Sequence, residues 1–317
     1  MKVSILLLSY NQVDFIAKAI EGVVCQKTTF PFELLISDDC STDGTREIIE
    51  QYHVKYPNIV VPYFQQVNLG PKNNDYFLFQ QSKGDYICYC EADDFWCDEE
   101  KLQKQVTFLD ANPDFGLVHG DVNFFYVESQ EHIRSYNSTN RIQIDSGDVY
   151  EKVMIGNHYI KTMTVCYRKS LLLQHYFTDD YIMQSNWMMV DLSQWLCLAS
   201  CSKIQYMDDV MATYCLRTES MSRSRSAVKM HQFHMDVFDI RFHFIKKYGC
   251  LPETANTVNK MFVKTLIGDA YKLNSRVLLN KAIKFAQEKG IELRIKDHLK
   301  IVFIAARTLI QSNRYHN

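Results

Sequence analysis

Glycine and proline are scarce in this 317-residue chain, at 11 and 6 residues. An all-β protein of many short strands needs both in its tight turns, so that class is excluded in favour of long helices and few loops. Long apolar runs are also missing. A bilayer crossing takes roughly 18 or more consecutive apolar residues, and the longest late run is only Ile301 to Ala306. Met1-Lys2 followed by Val3 to Leu8 imitates a signal peptide, but the run gives way to Asn11, Gln12 and Asp14 with no small-x-small site, so it reads as a buried strand. The ten cysteines lack regular spacing, which argues against a disulfide framework and for a reduced, cytoplasmic setting. Cys88, Cys90 and Cys97 lie close together with no second pair to complete a zinc site, and read as small core hydrophobes.

What is present is an ordinary globular composition, 47% apolar and 23% charged, which excludes a disordered or low-complexity chain. The length suits one large domain or a domain with a substantial appendage. The net charge of −2 conceals a gradient. Residues 1–120 carry 9 basic against 18 acidic side chains, residues 121–220 carry 8 against 12, and residues 221–317 carry 18 against 7. An acidic front is unsuited to nucleic acid, which needs a positive surface, and suits a metal ion.

Apolar runs and helix-like segments alternate through the first 120 residues. Val3 to Ser9, Phe32 to Ser37, Ile59 to Phe64, Tyr86 to Cys90 and Gly116 to His119 read as buried strands. Between them Asp14 to Val24, Gly44 to Tyr56, Asn73 to Ser82 and Glu99 to Asn112 carry helical periodicity, with Ser41, Thr42 and Asp43 as caps for the second. This alternation implies a parallel α/β sheet, whose ligands bind at the carboxyl ends of the strands. Three polar clusters fall there: Ser9-Tyr10-Asn11, Asp38-Asp39-Cys40-Ser41 and Glu91-Ala92-Asp93-Asp94. Beyond them, Glu128 to Ser146 reads as a surface loop, Thr162 to Tyr167 as a strand, Asp191 to Ser200 as a short helix, and Ile204 to Met207 and Met211 to Tyr214 as two strands. From Ser224 the pattern is helical, and Ile295, Leu299, Val302, Phe303, Ala306 and Ile310 form one face.

Glu91, Asp93 and Asp94 occupy one short loop after a strand. Mg²⁺ and Mn²⁺ prefer oxygen ligands, taking one or two protein carboxylates with phosphate oxygens and water completing the shell. Asp98, Glu99 and Glu100, in contrast, read as the acidic start of the next helix.

The segments VSILLLSYNQ (3–12), FELLISDDCSTDGT (32–45), NLGPKNN (68–74) and GDYICYCEADDFW (84–96) resemble the family 2 glycosyltransferases. That resemblance implies a GT-A fold: a Rossmann-like mixed α/β sheet flanked by helices, here with a helical C-terminal extension. It implies a nucleotide-sugar-binding half at 1–120, an acceptor half of the same domain at 121–222 and a basic extension at 223–317. It assigns Tyr10 and the backbone at Leu8 to the nucleotide base, Asp39 to the base's ring N–H, Asp93 to ribose and metal, and Asp94 to the metal beneath the diphosphate. Glu91 takes the place of the usual first aspartate at the ribose or metal. Lys72 stands where arginine is common and is assigned to the diphosphate. MTVCYRKSLL (163–172) and WMMVDLSQWLCLA (187–199) resemble the acceptor half, where Asp191 takes the place of the catalytic base. In YCLRTESMS (214–222), Cys215 replaces a usual arginine and Arg217 a usual histidine; Arg217 has no lone pair for a metal and is assigned to phosphate. Cys40 stands where glycine is common.

The expectation is therefore an inverting transferase using Mn²⁺ or Mg²⁺. It moves one sugar from a nucleoside-diphosphate donor, UDP-linked, to a glycan or lipid-diphosphate-linked acceptor in surface-polysaccharide assembly. Trp187 and Trp195 are either sugar-stacking or core residues. The basic C-terminal helices suggest peripheral attachment to an anionic membrane surface at the cytoplasmic face. Two other readings stand beside this one. A sugar nucleotidyltransferase normally opens on a glycine-rich phosphate loop, and SYNQVD (9–14) has no glycine. A binding module on a degenerate scaffold would bind nucleotide or glycan without turnover.

Overall fold

The computed structural model describes residues 1–158, 160–217, 224–293, 297–298 and 301–304. The chain divides into two compact units, Met1–Thr218 and Glu219–Asn317. The first opens with β1 (Val3–Ser9), α1 (Ile16–Val24), β2 (Phe32–Asp38), α2 (Thr45–Lys55), β3 (Val60–Phe64), α3 (Gly70–Gln81), β4 (Tyr86–Tyr89), β5 (Phe95–Trp96), α4 (Lys101–Ala111) and β6 (Phe115–Tyr126). It continues with β7 (Glu131–Ile133), α5 (Tyr136–Thr139), α6 (Tyr150–Ile155), a 3₁₀ turn (Thr162–Thr164), β8 (Cys166–Arg168), α7 (Lys169–His175), α8 (Asp180–Gln184), α9 (Val190–Cys201) and β9 (Lys203–Leu216).

The strands form one mixed sheet in the order β3-β2-β1-β4-β8-β6-β9-β5, with β7 paired to β6. The parallel arrangement read from the sequence holds for β3, β2, β1 and β4. β8 then pairs antiparallel to both β4 and β6, so β6 runs in the same direction as β4 although no β-α-β crossover joins them directly. In α1 the residues Ile16, Ala19, Ile20 and Val23 recur at helical spacing and are buried, the narrow apolar stripe of a helix lying on a sheet. Gly22 on the same helix is required by close approach: a Cβ there would lie 2.7 Å from the Trp96 carbonyl oxygen. β5 is thereby held directly after the acidic loop.

Four local expectations are corrected. Thr162 to Tyr167 is not one strand but the 3₁₀ turn followed by the three-residue β8. The two late strands are one, β9, whose register against β6 shifts near Gly120 and Asp121. The presumed loop from Glu128 contains β7 and α5, because the buried Asp121 carboxylate accepts N–H bonds from Asn137 and Ser138 and fixes α5 against β6. Gly44, not Ser41, Thr42 or Asp43, holds the cap position of α2, and Asp43 instead accepts from the Thr45 and Val13 N–H groups. Cys88 and Cys90 are core residues as expected, whereas Cys97 is exposed. Trp187 and Trp195 are buried against Tyr181 and Tyr167, which makes them core.

The second unit comprises α10 (Ala227–Tyr248), α11 (Pro252–Leu273) and α12 (Arg276–Glu288). The side chains of Ser226 and Ser275 cap α10 and α12. The face expected near the end is corrected where it is described: Val302 and Phe303 are exposed, and it is Ile301 and Ile304 that pack with Ala270 and Leu279. Ile295, Leu299, Ala306 and Ile310 lie outside the described residues. No helix among the described residues is long and apolar enough to cross a membrane.

Candidate active site

β1, β2 and β4 are parallel, so their carboxyl ends open on one edge of the sheet. The loops there are stitched together. Asp39 N–H donates to the Ser9 carbonyl at 2.8 Å, Asn11 N–H to Ser41 Oγ at 2.8 Å, and Thr42 N–H to Asn11 Oδ1 at 2.9 Å. Two tight turns make this possible: Asn11 and Cys40 sit in the left-handed region at φ 52° and 69°. A glycine at position 40 would adopt that conformation without steric cost, which accounts for the preference Cys40 departs from.

Tyr10 projects from the end of β1 and is 50% exposed, leaving a ring face available for stacking. Leu8, half-buried, lies beside Ser37 in the β1–β2 register. Asp38 is structural: buried, it accepts from Ser41 N–H at 3.0 Å and pairs with Arg46 at 3.2 Å. Asp39 is also buried, and its two oxygens accept the N–H groups of Leu69 and Gly70 at 2.6 and 3.0 Å, anchoring the start of α3. Lys72 donates to the Ile182 and Met183 carbonyls at 2.9 and 3.2 Å and to Ser185. The structure thus places the Lys72 ammonium on the last turn of α8, tying that helix to α3.

The acidic loop is rigidly held. Trp96 Nε1 donates to the Tyr89 carbonyl at 3.1 Å, Asp94 N–H to the Glu91 carbonyl at 3.0 Å, and Cys215 N–H to Asp94 Oδ1 at 2.7 Å. Asp94 is 2% exposed, and its Oδ2 is buried with no hydrogen-bond partner. Burial, and then the charges of Glu91 and Asp93, hold the Asp94 carboxyl well above the usual carboxylate range. Burial, with Asp93 and Asp191 adding, pushes Glu91 up to about 8. Arg217 Nη2 pairs with Asp93 at 2.5 Å and with Gln12 Oε1 at 3.2 Å, which joins the end of β9 to the β1 loop.

An orphaned carboxylate oxygen beside two further acidic groups is a cation-seeking arrangement, since a buried carboxylate needs a partner. Among the described residues no group of three or more His, Cys, Asp or Glu side chains forms a metal cage. A divalent ion here would have at most one or two carboxylates, from Asp94 and Asp93, and would need phosphate and water for the rest of its shell.

Asp191 lies in the first turn of α9 and is half-buried. Met189 occupies the cap, so the simple N-cap role is not the one Asp191 plays. Burial raises its carboxyl, while the Leu192 N–H, the Lys161 ammonium and the Thr162 hydroxyl pull it back. Its charge raises the Glu91 carboxyl. Lys161 and Thr162 were missed in the sequence, because they stand just before the matching segment at 163 and no spacing distinguishes them. Asp75 was missed as well. Its buried carboxyl accepts from Tyr89 Oη at 2.6 Å and Gln194 Nε2 at 3.0 Å, connecting α3, β4 and α9.

Burial pushes Asp75 up to about 6, against the two hydrogen bonds and with Asp191 adding. The folded protein therefore keeps this proton between about pH 4 and 6 while the unfolded chain has released it. Stability contributed at this site falls as pH rises through that window, by about 3 kcal/mol for a shift of roughly two units. Urea unfolding of the wild type and Asp75→Asn at pH 4.5 and 7 checks this: between those pH values the difference between the two proteins shifts in favour of the variant by about 2 kcal/mol, the first part of the loss having occurred below pH 4.5.

Residues 4–172, more than half of the chain, match the model of Glycosyl transferase family 2. The chain belongs to that family. TuaG of Bacillus subtilis, a putative teichuronic acid biosynthesis glycosyltransferase, is 36% identical over 107 residues, 34% of this chain and 41% of that protein. The chain spans about half the length of the curated relatives it matches. Among solved structures, Staphylococcus aureus TarS residues 1–349 with UDP-GlcNAc superposes with a TM-score of 0.55 at 16% identity, covering 93% of each chain. The mannosyltransferase PcManGT of Pyrobaculum calidifontis, in complex with GDP-Man and Mn²⁺, gives 0.58 at 14% identity over 99% of this chain and 82% of that one. At those identities the structures establish the shared fold.

Proposed function

We propose that this family 2 enzyme is an inverting, metal-dependent transferase that moves one sugar from a UDP-sugar to a glycan or lipid-diphosphate-linked acceptor of a surface polysaccharide. The observation that carries this reading is the buried Asp94 carboxyl, one oxygen of which has no partner, beside Glu91 and Asp93 after β4. TuaG, a putative teichuronic acid biosynthesis glycosyltransferase, supports a polysaccharide product, TarS in complex with UDP-GlcNAc supports a UDP-sugar, and PcManGT in complex with Mn²⁺ supports the metal.

Tyr10 stacks on the base, and the backbone at Leu8 lines the same pocket. Each Asp39 oxygen holds one backbone N–H and keeps a lone pair that can accept the ring N–H of uracil. Asp93 and Asp94 would hold the cation, which when bound would supply positive charge to the diphosphate. Glu91 lies at the ribose, and Arg217 donates to the phosphates, exchanging its Asp93 contact for theirs. On the acceptor side, a hydroxyl passes its proton to an Asp191 oxygen as its own oxygen bonds the anomeric carbon and the bond from that carbon to the diphosphate breaks. A single base and a departing diphosphate give direct displacement with inversion. The basic, amphipathic C-terminal segment, with Val302 and Phe303 exposed, supports docking of the second unit on an anionic membrane surface.

Calorimetric titration of UDP and then GDP, with and without Mn²⁺, tests the donor assignment. Binding of UDP that requires Mn²⁺ is expected. Absence of binding by either nucleotide under every metal condition would overturn the reading and favour a degenerate binding scaffold.

A further inference from the structure

Helix α3 is bonded on two faces. Towards the strands, Asn74 Nδ2 donates to the Ser37 carbonyl of β2 at 3.3 Å, and Phe77 meets Tyr63 of β3 edge to face with ring centres 5.2 Å apart. Its first turn is tied down by Asp39, which accepts the Leu69 and Gly70 N–H groups. On the other face, Lys72, Asp75, Tyr76 and Phe79 recur at three- and four-residue spacing. All four reach residues between 177 and 194. The Lys72 ammonium donates to the Ile182 and Met183 carbonyls at 2.9 and 3.2 Å, to Ser185 Oγ at 3.1 Å and to the Ser185 carbonyl. This is the end of α8, where carbonyl groups without helical partners attract a cation. Asp75 Oδ2 accepts from Gln194 Nε2 of α9 at 3.0 Å, and Tyr76 and Phe79 lay their rings against Phe177 at 5.2 and 4.3 Å.

The chain between these contacts is short. Residues 185–189 join α8 to α9, and Trp187 among them packs on Tyr181 of α8. Asp191 follows in the first turn of α9, one turn ahead of Gln194. Lys72 therefore holds one end of this connection and Asp75 the other. An ammonium has three protons, and the four oxygens around Lys72 take them all, so none is left over for a phosphate. Placement of a reacting group matters steeply, since a displacement of ~1 Å costs about 10²-fold in rate. We propose that α3 is the brace of the acceptor side: Lys72 and Asp75 are positioning residues that fix the two ends of the 185–189 connection and with it the start of α9, and Lys72 acts through α8 instead of on the donor diphosphate. This rests on the reading of Asp191 as the base.

Lys72→Met, Gln194→Leu and Asp75→Asn test the brace in the full chain. Calorimetry with UDP and Mn²⁺ gives affinities within about twofold of the wild type in all three, because no donor contact is lost. Turnover is read as UDP release from UDP-glucose, UDP-galactose and their N-acetyl forms, with water as acceptor. Its kcat falls by about tenfold or more in Lys72→Met and Gln194→Leu at an unchanged donor KM. Asp75→Asn keeps most of the rate, since its amide still meets Tyr89 and, with the Gln194 amide turned over, Gln194. Hydrogen exchange needs no substrate: amides of residues 180–194 exchange about tenfold faster in Lys72→Met, while those of β1 and β2 are unchanged. A loss of UDP affinity as large as the loss of rate in Lys72→Met would make Lys72 a diphosphate ligand and overturn the proposal, and unaltered exchange over 180–194 would overturn it too. A wild type that binds UDP but releases it from none of these sugars counts against the transferase reading, and exchange then decides the brace by itself.

Discussion

Asp191→Asn is expected to lower the rate of sugar transfer by about 10²–10⁴-fold, the usual worth of a positioned general base, while leaving Mn²⁺-dependent UDP binding nearly unchanged. The amide keeps the size of the side chain and one oxygen to accept the Leu192 N–H that Asp191 now accepts at 2.8 Å. Helix α9 starts at a Met189 cap and buries Ser193, Gln194, Trp195 and Leu196, so its position does not rest on the carboxylate. What the substitution removes is the ability to take a proton from an acceptor hydroxyl. Donor hydrolysis by water falls as well, by less, since the diphosphate still departs with its metal. Steady-state kinetics beside calorimetry separates the two effects. Equal losses in rate and in UDP affinity would show that Asp191 binds donor and would remove it from the role of base.

Asp94→Asn acts on the other half of the reaction. Loss of transfer by more than about 10³-fold is expected, because the leaving diphosphate loses its metal-mediated stabilisation. Mn²⁺-dependent UDP affinity falls with it, by at least the roughly 10–100-fold seen when only the support of a metal ligand is lost. The metal-free protein moves in the opposite direction. Asp94 is 2% exposed with one oxygen unpartnered, and burial together with Glu91 and Asp93 holds its carboxyl well above its ordinary range. A group whose proton affinity is raised by folding destabilises the folded state once pH exceeds its unfolded value, by about 1.4 kcal/mol per unit. The neutral amide relieves that cost and still accepts the Cys215 N–H. Thermal unfolding without metal should therefore show a variant more stable than the wild type at pH 7, with the order reversed or narrowed when Mn²⁺ and UDP are added. A variant that is less stable without metal would make Asp94 a structural residue.

The donor side was legible because its residues follow one another. Each of the loops at Ser9, Asp38 and Glu91 ends a continuous apolar run, and strands buried on both faces announce themselves by composition. Parallel alignment then brings their ends to one edge without further information. The acceptor side was legible only at Asp191, which sits in a segment long enough to resemble its family. Lys161, Asp75 and Gln194 stand in no pattern, since each acquires its role from a partner more than 20 residues away. Lys72 shows the converse: its place in a recognisable motif pointed to the diphosphate, and the structure gives its ammonium the carbonyls at the end of α8.

By itself the sequence determined the class of fold and the polar clusters at the strand ends, carboxylates among them. These depend on local periodicity and residue chemistry, which adjacent residues carry. The tertiary structure decided which of those groups are satisfied and which are not. It shows Asp39 bonded to the start of α3, Asp93 paired with Arg217, Asp38 held by Ser41 and Arg46, and one buried oxygen of Asp38 and one of Asp94 without a partner. It also joined the separate β9 segments into one strand and seated Lys161 on the rings of Phe124 and Tyr214. Charge balance and hydrogen-bond satisfaction in a buried site are sums over neighbours from distant parts of the chain, and only folding brings those neighbours together.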